Sequence, residues 1–323
     1  MKIINVELKP LEVTRAKFMM PPQKLNVKTH TEMDAAPSAF DYHTFRESLR
    51  QRFSELYDKL ETLSPEYQNG EPFPFIVIDN FLPLELAELI SADIPEKSDA
   101  AWTRLPTEDQ KNKFVMTDDR RLPLKVNALI QELNSGYFLR FLEKLTAVPE
   151  LIADTKLVGG GLHMIERGGK LSVHVDFSHH PTNGLNRRLN FLLYLNPDWQ
   201  EEYGGHFELW DQEIKSCKHK ILPIFNRCVV FSTSPISYHG HPDPLNCPEG
   251  MTRKSIALYY FSKGRPVEED VEHNTLFKSR PHDQFRLGNF LVRTASSGMV
   301  RELVPPVVYK LVRKVWNRRY TGA

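Results

Sequence analysis

From about residue 150 the chain is a run of short apolar segments punctuated by Gly, Pro, Asn and Asp: KLSVHVDF, RLNFLLYLN, GGHFELW, KILPIF, CVVFST and KSIALYYF. No helical pattern lies between them to cross back over a sheet. Parallel βαβ units are therefore excluded, and antiparallel pairing into a sandwich, jelly roll or barrel is what remains. The first half has the other period. In TFRESLRQRFSELYDKLETL, Phe45, Leu49, Phe53, Leu56, Leu60 and Leu63 recur at helical spacing, with Thr44 and Glu47 placed as a capping box. PFPFIVIDNFLP reads as a strand closed by proline, and LPLELAELISADIP as a short helix ended by Pro95. PLKVNALIQELN and GYFLRFLEKLTAV read as two helices with a tight turn at Ser135-Gly136. The fold class is α+β, helices first and then an antiparallel β-core, without internal repeats.

These textures divide the chain into an N-terminal arm (1–40, with a short strand near KIINVEL), a helical support region with its leading strand (41–150), the β-core (151–265) and a C-terminal extension (266–323). A net charge of +1 over 323 residues gives no reason to expect a nucleic-acid partner. Cys217, Cys228 and Cys247 are too few and too scattered for a disulfide framework, which suggests a reducing, cytoplasmic setting or buried thiols. The N-terminus lacks the apolar core of a secretory signal, and no run approaches the ~18 apolar residues of a membrane span.

LSVHVDF raises the chemical question. Side chains at i and i+2 of a strand share a face, so His174 and Asp176 project together while Val173, Val175 and Phe177 face the other way. The pair is either part of a metal site or an ordinary hydrogen bond. SYHGHP offers His239 and His241 as a third ligand, or as loop histidines without a metal. Two imidazoles and one carboxylate on one face leave open positions, the arrangement of non-haem Fe(II) oxygenases. A dianionic cosubstrate in those positions needs a cation, and arginine is the planar, always-charged choice. Arg253 starts a buried-looking strand, with Ser255 on the same face as a second donor. Asn190 and Tyr194, four apart in LNFLLYLN, also share a face and are candidates for the same carboxylate, or core residues satisfied locally. His179 and His180 read as loop residues. Cys217, His219 and Cys228 lack zinc-ligand spacing, Gly204-Gly205 reads as a turn, and the glycines at 159–161 precede a strand rather than the helix a phosphate loop needs.

Taken in order, HVD, RRLNFLLYLNPDW, EEYGGHFELW, SYHGH and RKSIALYYF resemble the double-stranded β-helix of Fe(II)/2-oxoglutarate-dependent dioxygenases, in the prolyl 4-hydroxylase-like branch. FPFIVIDNFLP followed by a helix is similar to the leading strand and support helix of that branch. The resemblance implies Fe(II) on His174, Asp176 and His239, and 2-oxoglutarate held by Arg253 and Tyr194, to which the shared strand faces add Ser255 and Asn190. It also implies hydroxylation of an unactivated C–H bond coupled to decarboxylation of 2-oxoglutarate, with ascorbate as a candidate reductant. Related outcomes of the same chemistry (desaturation, cyclisation, demethylation) and a non-enzymatic cupin-like binding protein are the alternatives. Asp176 favours hydroxylation over halogenation, since halogenating relatives carry Gly or Ala there. The chain departs from the branch twice. The interval GHPDPLNCPEGMT before Arg253 is long, and Met164 or Ile165 replaces a tyrosine upstream of HVD. The substrate, small molecule or peptide, is not implied.

The extension ends in PPVVYKLVRKVWNRRY. Val308, Leu311, Val312, Val315 and Trp316 fall on one side of a helix started by Pro305-Pro306, with Lys310, Arg313, Lys314, Arg318 and Arg319 around the remainder. The expectation is that this stripe packs on the core or on a second copy in a homodimer, in preference to an anionic membrane surface.

Overall fold

The computed structural model describes residues 40–283 apart from 106, 268, 269 and 282. The arm with its expected strand, and the basic amphipathic helix, lie outside the described residues.

The expected first helix is two, α1 (Tyr42–Asp58) and α2 (Leu60–Gln68), which break at Lys59. The cap is Asp41 rather than the Thr44–Glu47 box. Its carboxylate accepts from the His43 and Thr44 N–H groups and from the Thr44 hydroxyl, so the helix starts earlier. An acidic cap also complements the positive end of the helix dipole. β1 (Phe75–Ile78) leads into α3 (Leu84–Asp93). A hairpin of β2 (Thr103–Leu105) and β3 (Gln110–Met116) follows, which the sequence reading missed. α4 (Leu124–Leu133) and α5 (Gly136–Thr146) close the helical half, and the Ser135 hydroxyl caps α5 by accepting from Phe138 N–H.

The remaining strands are β4 (Ile152–Ala153), β5 (Gly161–Val175), β6 (Asn186–Tyr194), β7 (Phe207–Trp210), β8 (Cys217–Ile221), β9 (Arg227–Ser232), β10 (His239–His241), β11 (Thr252–Ser262) and β12 (Leu276–Phe277). The main path runs β1-β9-β6-β11-β5-β10-β7-β8, and the strands pair antiparallel. The sheet curls back on itself: Phe207 of β7 meets Phe231 of β9 with ring centroids 5.2 Å apart. This is the expected α+β class with a double-stranded β-helix. KILPIF is shorter than its pattern suggests, because β8 ends at Ile221 before Pro223, which has no N–H to give a ladder.

β5 is the spine of the site. Its first half pairs with β3 on one side and β11 on the other. Gly168, at φ +74°, and Gly169 bend it; a Cβ on Gly169 would lie 2.5 Å from Ile165 Cγ2 and 2.7 Å from the Glu166 carbonyl. Past the bend β5 passes to β10, and β12 joins its other edge at His174 and Val175. Val173 and Val175 pack with Trp210, Ile214 and Tyr238, which leaves the opposite face for polar groups. On the back of β6 the helices supply an aromatic layer: Phe138 lies 4.8 Å from Phe53 and 5.8 Å from Phe191, and Phe81 lies 5.3 Å from Phe191. Burial of the apolar side there fixes which way Asn190 and Tyr194 point. No helix among the described residues is long and apolar enough to cross a membrane.

Candidate active site

His174, Asp176 and His239 converge, with one candidate ligand atom from each lying within 4.8 Å of the others. His174 and His239 are cross-strand partners, and their ring centroids are 4.4 Å apart. Each imidazole donates its Nδ1–H to a backbone carbonyl, Ser172 O for His174 and Ser237 O for His239, both at 2.8 Å. These bonds fix the tautomer and leave the two Nε2 lone pairs aimed at the centre. The Nε2 atoms lie 3.5 and 3.3 Å from the Asp176 carboxylate. Burial, and then the neighbouring His239, lower the His174 pKa, which favours a neutral donor. Two imidazoles and one carboxylate, pre-aimed at a common point, fit a divalent iron.

Burial opposes ionisation of Asp176, but Arg187 and the two imidazoles outweigh it and hold the carboxyl well below its usual range. Arg187 Nη2 lies 3.1 Å from Asp176 Oδ2. This arginine is 1% exposed and is sandwiched between the rings of Tyr259 (3.5 Å) and Phe177 (4.5 Å). Phe177 therefore faces the cavity and not the core: β5 ends at Val175, and the alternation ends with it. Asn190 also differs from expectation. Its Nδ2 donates to Asp176 Oδ2 at 2.7 Å, while its Oδ1 accepts from Arg187 Nε and Nη2. Asn190 and Tyr194 are four residue steps apart along the strand, about 13 Å, too far for both to serve one carboxylate. Asn190→Ala should weaken metal binding by about 10–100-fold, the range for losing a ligand's hydrogen-bond partner, and leave the 2-oxoglutarate KM nearly unchanged. Competition with a fluorescent chelator reads the first quantity. A raised KM with intact metal affinity would return Asn190 to the cosubstrate.

The other group gathers on β6 and β11. Arg253 is 5% exposed, with its Nε donating to Gly205 O at 2.9 Å and its guanidinium carbon 4.8 Å from the Tyr194 ring. Gly205 has φ +72°, and a Cβ there would lie 2.5 Å from Leu245 and 3.1 Å from Arg253 Cδ, so this turn needs glycine to admit the arginine. Tyr194 is opposite Ser255 in the ladder, and its buried hydroxyl lies beside the Arg253 guanidinium with no other partner among the described residues. Arg253, Ser255 and Tyr194 face the same cavity of about 170 Å³ as the triad. Ile165, not Met164, stands in its wall at the position of the missing tyrosine. His241 also faces the cavity, two residues along β10 from His239 and outside the ligand cluster. His179 pairs with Asp270 at 3.0 Å, and buried His180 lies 3.5 Å from Asp154. Over the triad β12 places Phe277, its ring 5.3 Å from His174.

The sequence reading missed Arg187, Lys113 and Phe277 as cavity residues. Arg187 carried a signal, an arginine at the head of an apolar strand, but Arg187-Arg188 reads as an exposed strand end.

Residues 160–261 match the 2OG-Fe(II) oxygenase superfamily. The chain is 33% identical over 79 residues to prolyl 3-hydroxylase OGFOD1 of Mus musculus, covering 23% of this chain and 14% of that one. It is 25% identical over 206 residues to prolyl 3-hydroxylase OGFOD1 of Xenopus laevis, covering 61% and 35%. The chain thus spans about a third or less of the length of these curated relatives. Among solved structures, a prolyl hydroxylase from Trichoplax adhaerens, in complex with a hypoxia inducible factor oxygen degradation domain peptide fragment, aligns at TM-score 0.44 and 18% identity over 70% of this chain and 94% of that one. HygX from Streptomyces hygroscopicus, with nickel and 2-oxoglutarate bound, aligns at TM-score 0.40 and 13% identity over 63% and 93%. The superfamily match and the triad together imply Fe(II) and 2-oxoglutarate. Over residues 160–261 the chain is therefore similar to the 2OG-Fe(II) oxygenase superfamily, and the curated relatives it resembles are prolyl hydroxylases.

Proposed function

We propose that the chain is a dioxygenase that hydroxylates an unactivated C–H bond at the expense of 2-oxoglutarate. The observation that carries this reading is the pairing, in one buried cavity, of the His174–Asp176–His239 cluster with Arg253. A structural metal has no use for a buried cation facing it, whereas a bidentate dicarboxylate does. Iron, when bound, supplies dioxygen activation coupled to decarboxylation of 2-oxoglutarate, one oxygen atom entering succinate and the other the substrate C–H bond. His174, Asp176 and His239 hold the metal. Arg253, with Ser255 and the Tyr194 hydroxyl, takes the distal carboxylate and so orients the 2-oxo end toward the triad. Phe207, Phe231 and Phe277 limit water around the histidines.

The names of the relatives favour a prolyl residue in a polypeptide as the first substrate class to test, ahead of a free small molecule. The free cysteines support a cytoplasmic setting, and ascorbate is the reductant to supply in turnover assays. Anaerobic addition of Fe(II) and then 2-oxoglutarate should give a weak visible charge-transfer band, which decays on admitting oxygen as succinate forms. A protein that binds Fe(II) but gives neither band nor succinate at saturating 2-oxoglutarate is a binding protein of the same fold, and this reading is then wrong.

A further inference from the structure

One buried cation in the cavity is left unexplained by this assignment. Lys113 of β3 is 8% exposed and lines the cavity, yet its ammonium makes one hydrogen bond, to Gln110 Oε1 at 3.2 Å, and no ion pair among the described residues. An ammonium buried without a counter-ion is costly, and a strand residue that faced the other way would avoid it. The ladder shows what stands beside it. Lys113 pairs with Ile165, and Ile165 pairs on its other side with Arg253. Three neighbouring strands therefore present Lys113, Ile165 and Arg253 as one row on the cavity face, with the two cations about 10 Å apart at their Cα atoms. Both side chains are long enough to meet over the shorter Ile165. This isoleucine stands where the resembled branch places a tyrosine, so the row lacks one hydroxyl donor and holds one extra cation. The neighbouring His163 Nε2 and both ring nitrogens of His241 also lack hydrogen-bond partners.

We propose that Lys113 is a second anchor for the distal carboxylate of the cosubstrate, closing over Ile165 against Arg253 and replacing the donor that Ile165 lacks. The proposal rests on the functional reading above. Lys113 acts on the cosubstrate directly, and Gln110 positions it from the same strand. The level of the row supports the cosubstrate over the oxidised substrate: Lys113 stands at the rung of Arg253, at the end of β5 before the bend, whereas His174 stands beyond it.

Burial lowers the Lys113 pKa to about 8, with Asp176 opposing and Arg253 and Arg187 reinforcing the shift. The charged and titratable groups that face it are Asp176, Arg187, Arg253, His163 and His241. Burial holds both imidazoles neutral well below this range, and Tyr194 and Tyr259 are pushed above their ordinary value. An affinity change near pH 8 therefore belongs to Lys113. The anchor is charged below that pH and lost above it, so 2-oxoglutarate should bind more weakly as the pH rises through about 8 in the free enzyme.

The test is calorimetric binding of 2-oxoglutarate, and of 2-oxopentanoate, which has a methyl in place of the distal carboxylate, to the full-length Mn(II)-loaded protein. Lys113→Met should weaken 2-oxoglutarate about tenfold or more, leave 2-oxopentanoate unchanged and abolish the alkaline limb. Lys113→Arg should keep the affinity and lose the limb, since arginine does not titrate there. If Lys113→Met folds and binds both acids as wild type does, Lys113 serves the oxidised substrate or the fold alone, and the proposal is overturned. If the wild-type protein itself fails to bind 2-oxoglutarate, the functional reading fails first.

Discussion

Asp176→Ala should weaken Fe(II) binding by more than the roughly 10–100-fold that loss of a ligand's hydrogen-bond partner costs, and succinate formation should fall with it. Two imidazoles remain, and neither brings charge to the metal. A second effect travels with the first. Arg187 loses its carboxylate while buried, and breaking a buried pair from one side typically costs about 3–5 kcal/mol. The rings of Phe177 and Tyr259 cover the guanidinium and offset part of that. Asp176→Asn separates the two effects. It keeps an oxygen for Arg187 and Asn190, so melting temperature should fall less, while metal affinity still drops. His239→Ala should resemble Asp176→Ala in equilibrium dialysis against Fe(II), and His241→Ala should not. Wild-type metal affinity in Asp176→Ala would dissolve the triad assignment, and the reverse order of the two histidines would move the third ligand to His241.

Arg253→Ala should raise the 2-oxoglutarate KM far more than tenfold and leave metal binding intact. Truncating one partner of a buried charge pair costs about 2–5 kcal/mol, and Arg253 has the burial for it. Lys254 cannot take over. It is next on β11 and not on the cavity face, and its backbone N–H is held by Asn196 Oδ1. Initial rates of succinate formation against 2-oxoglutarate give KM, and Fe(II) titration gives the metal arm. An unchanged KM would remove Arg253 from the cosubstrate.

The sequence carried His174 because strand alternation is a local rule, and Asp176, one residue past the end of β5, reaches the same point through its bonds to Arg187 and Asn190. It pointed to Arg253, which lines the cavity, because that arginine starts a strand downstream of the distal histidine. The same alternation misled at Asn190, since it gives a face and not a distance along it. Phe177 was misread for a related reason, because alternation holds only while the strand lasts. Lys113 was illegible. DQKNKFVM reads as a solvated face, and only the pairing of β3 against β5 turns one of its lysines inward. Asp41 was overlooked as a cap because Thr44 and Glu47 satisfied a pattern a few residues on. Local rules found the elements and the ligands, whereas long-range pairing decided which polar groups lost their water.

The stacked Arg187 has a consequence for charge. Asp176 and Arg187 neutralise each other, so the carboxylate's charge is already balanced within the protein. A dication held by the triad would add to the positive charge of Arg253 and of a Lys113 that is charged below about pH 8. The cavity would then be a strongly positive vessel in a poor solvent for charge, which a small dianion would discharge. Metal and dianion must therefore each tighten the other, by the same factor in both directions, and a neutral or singly charged keto acid of the same size leaves the vessel partly charged.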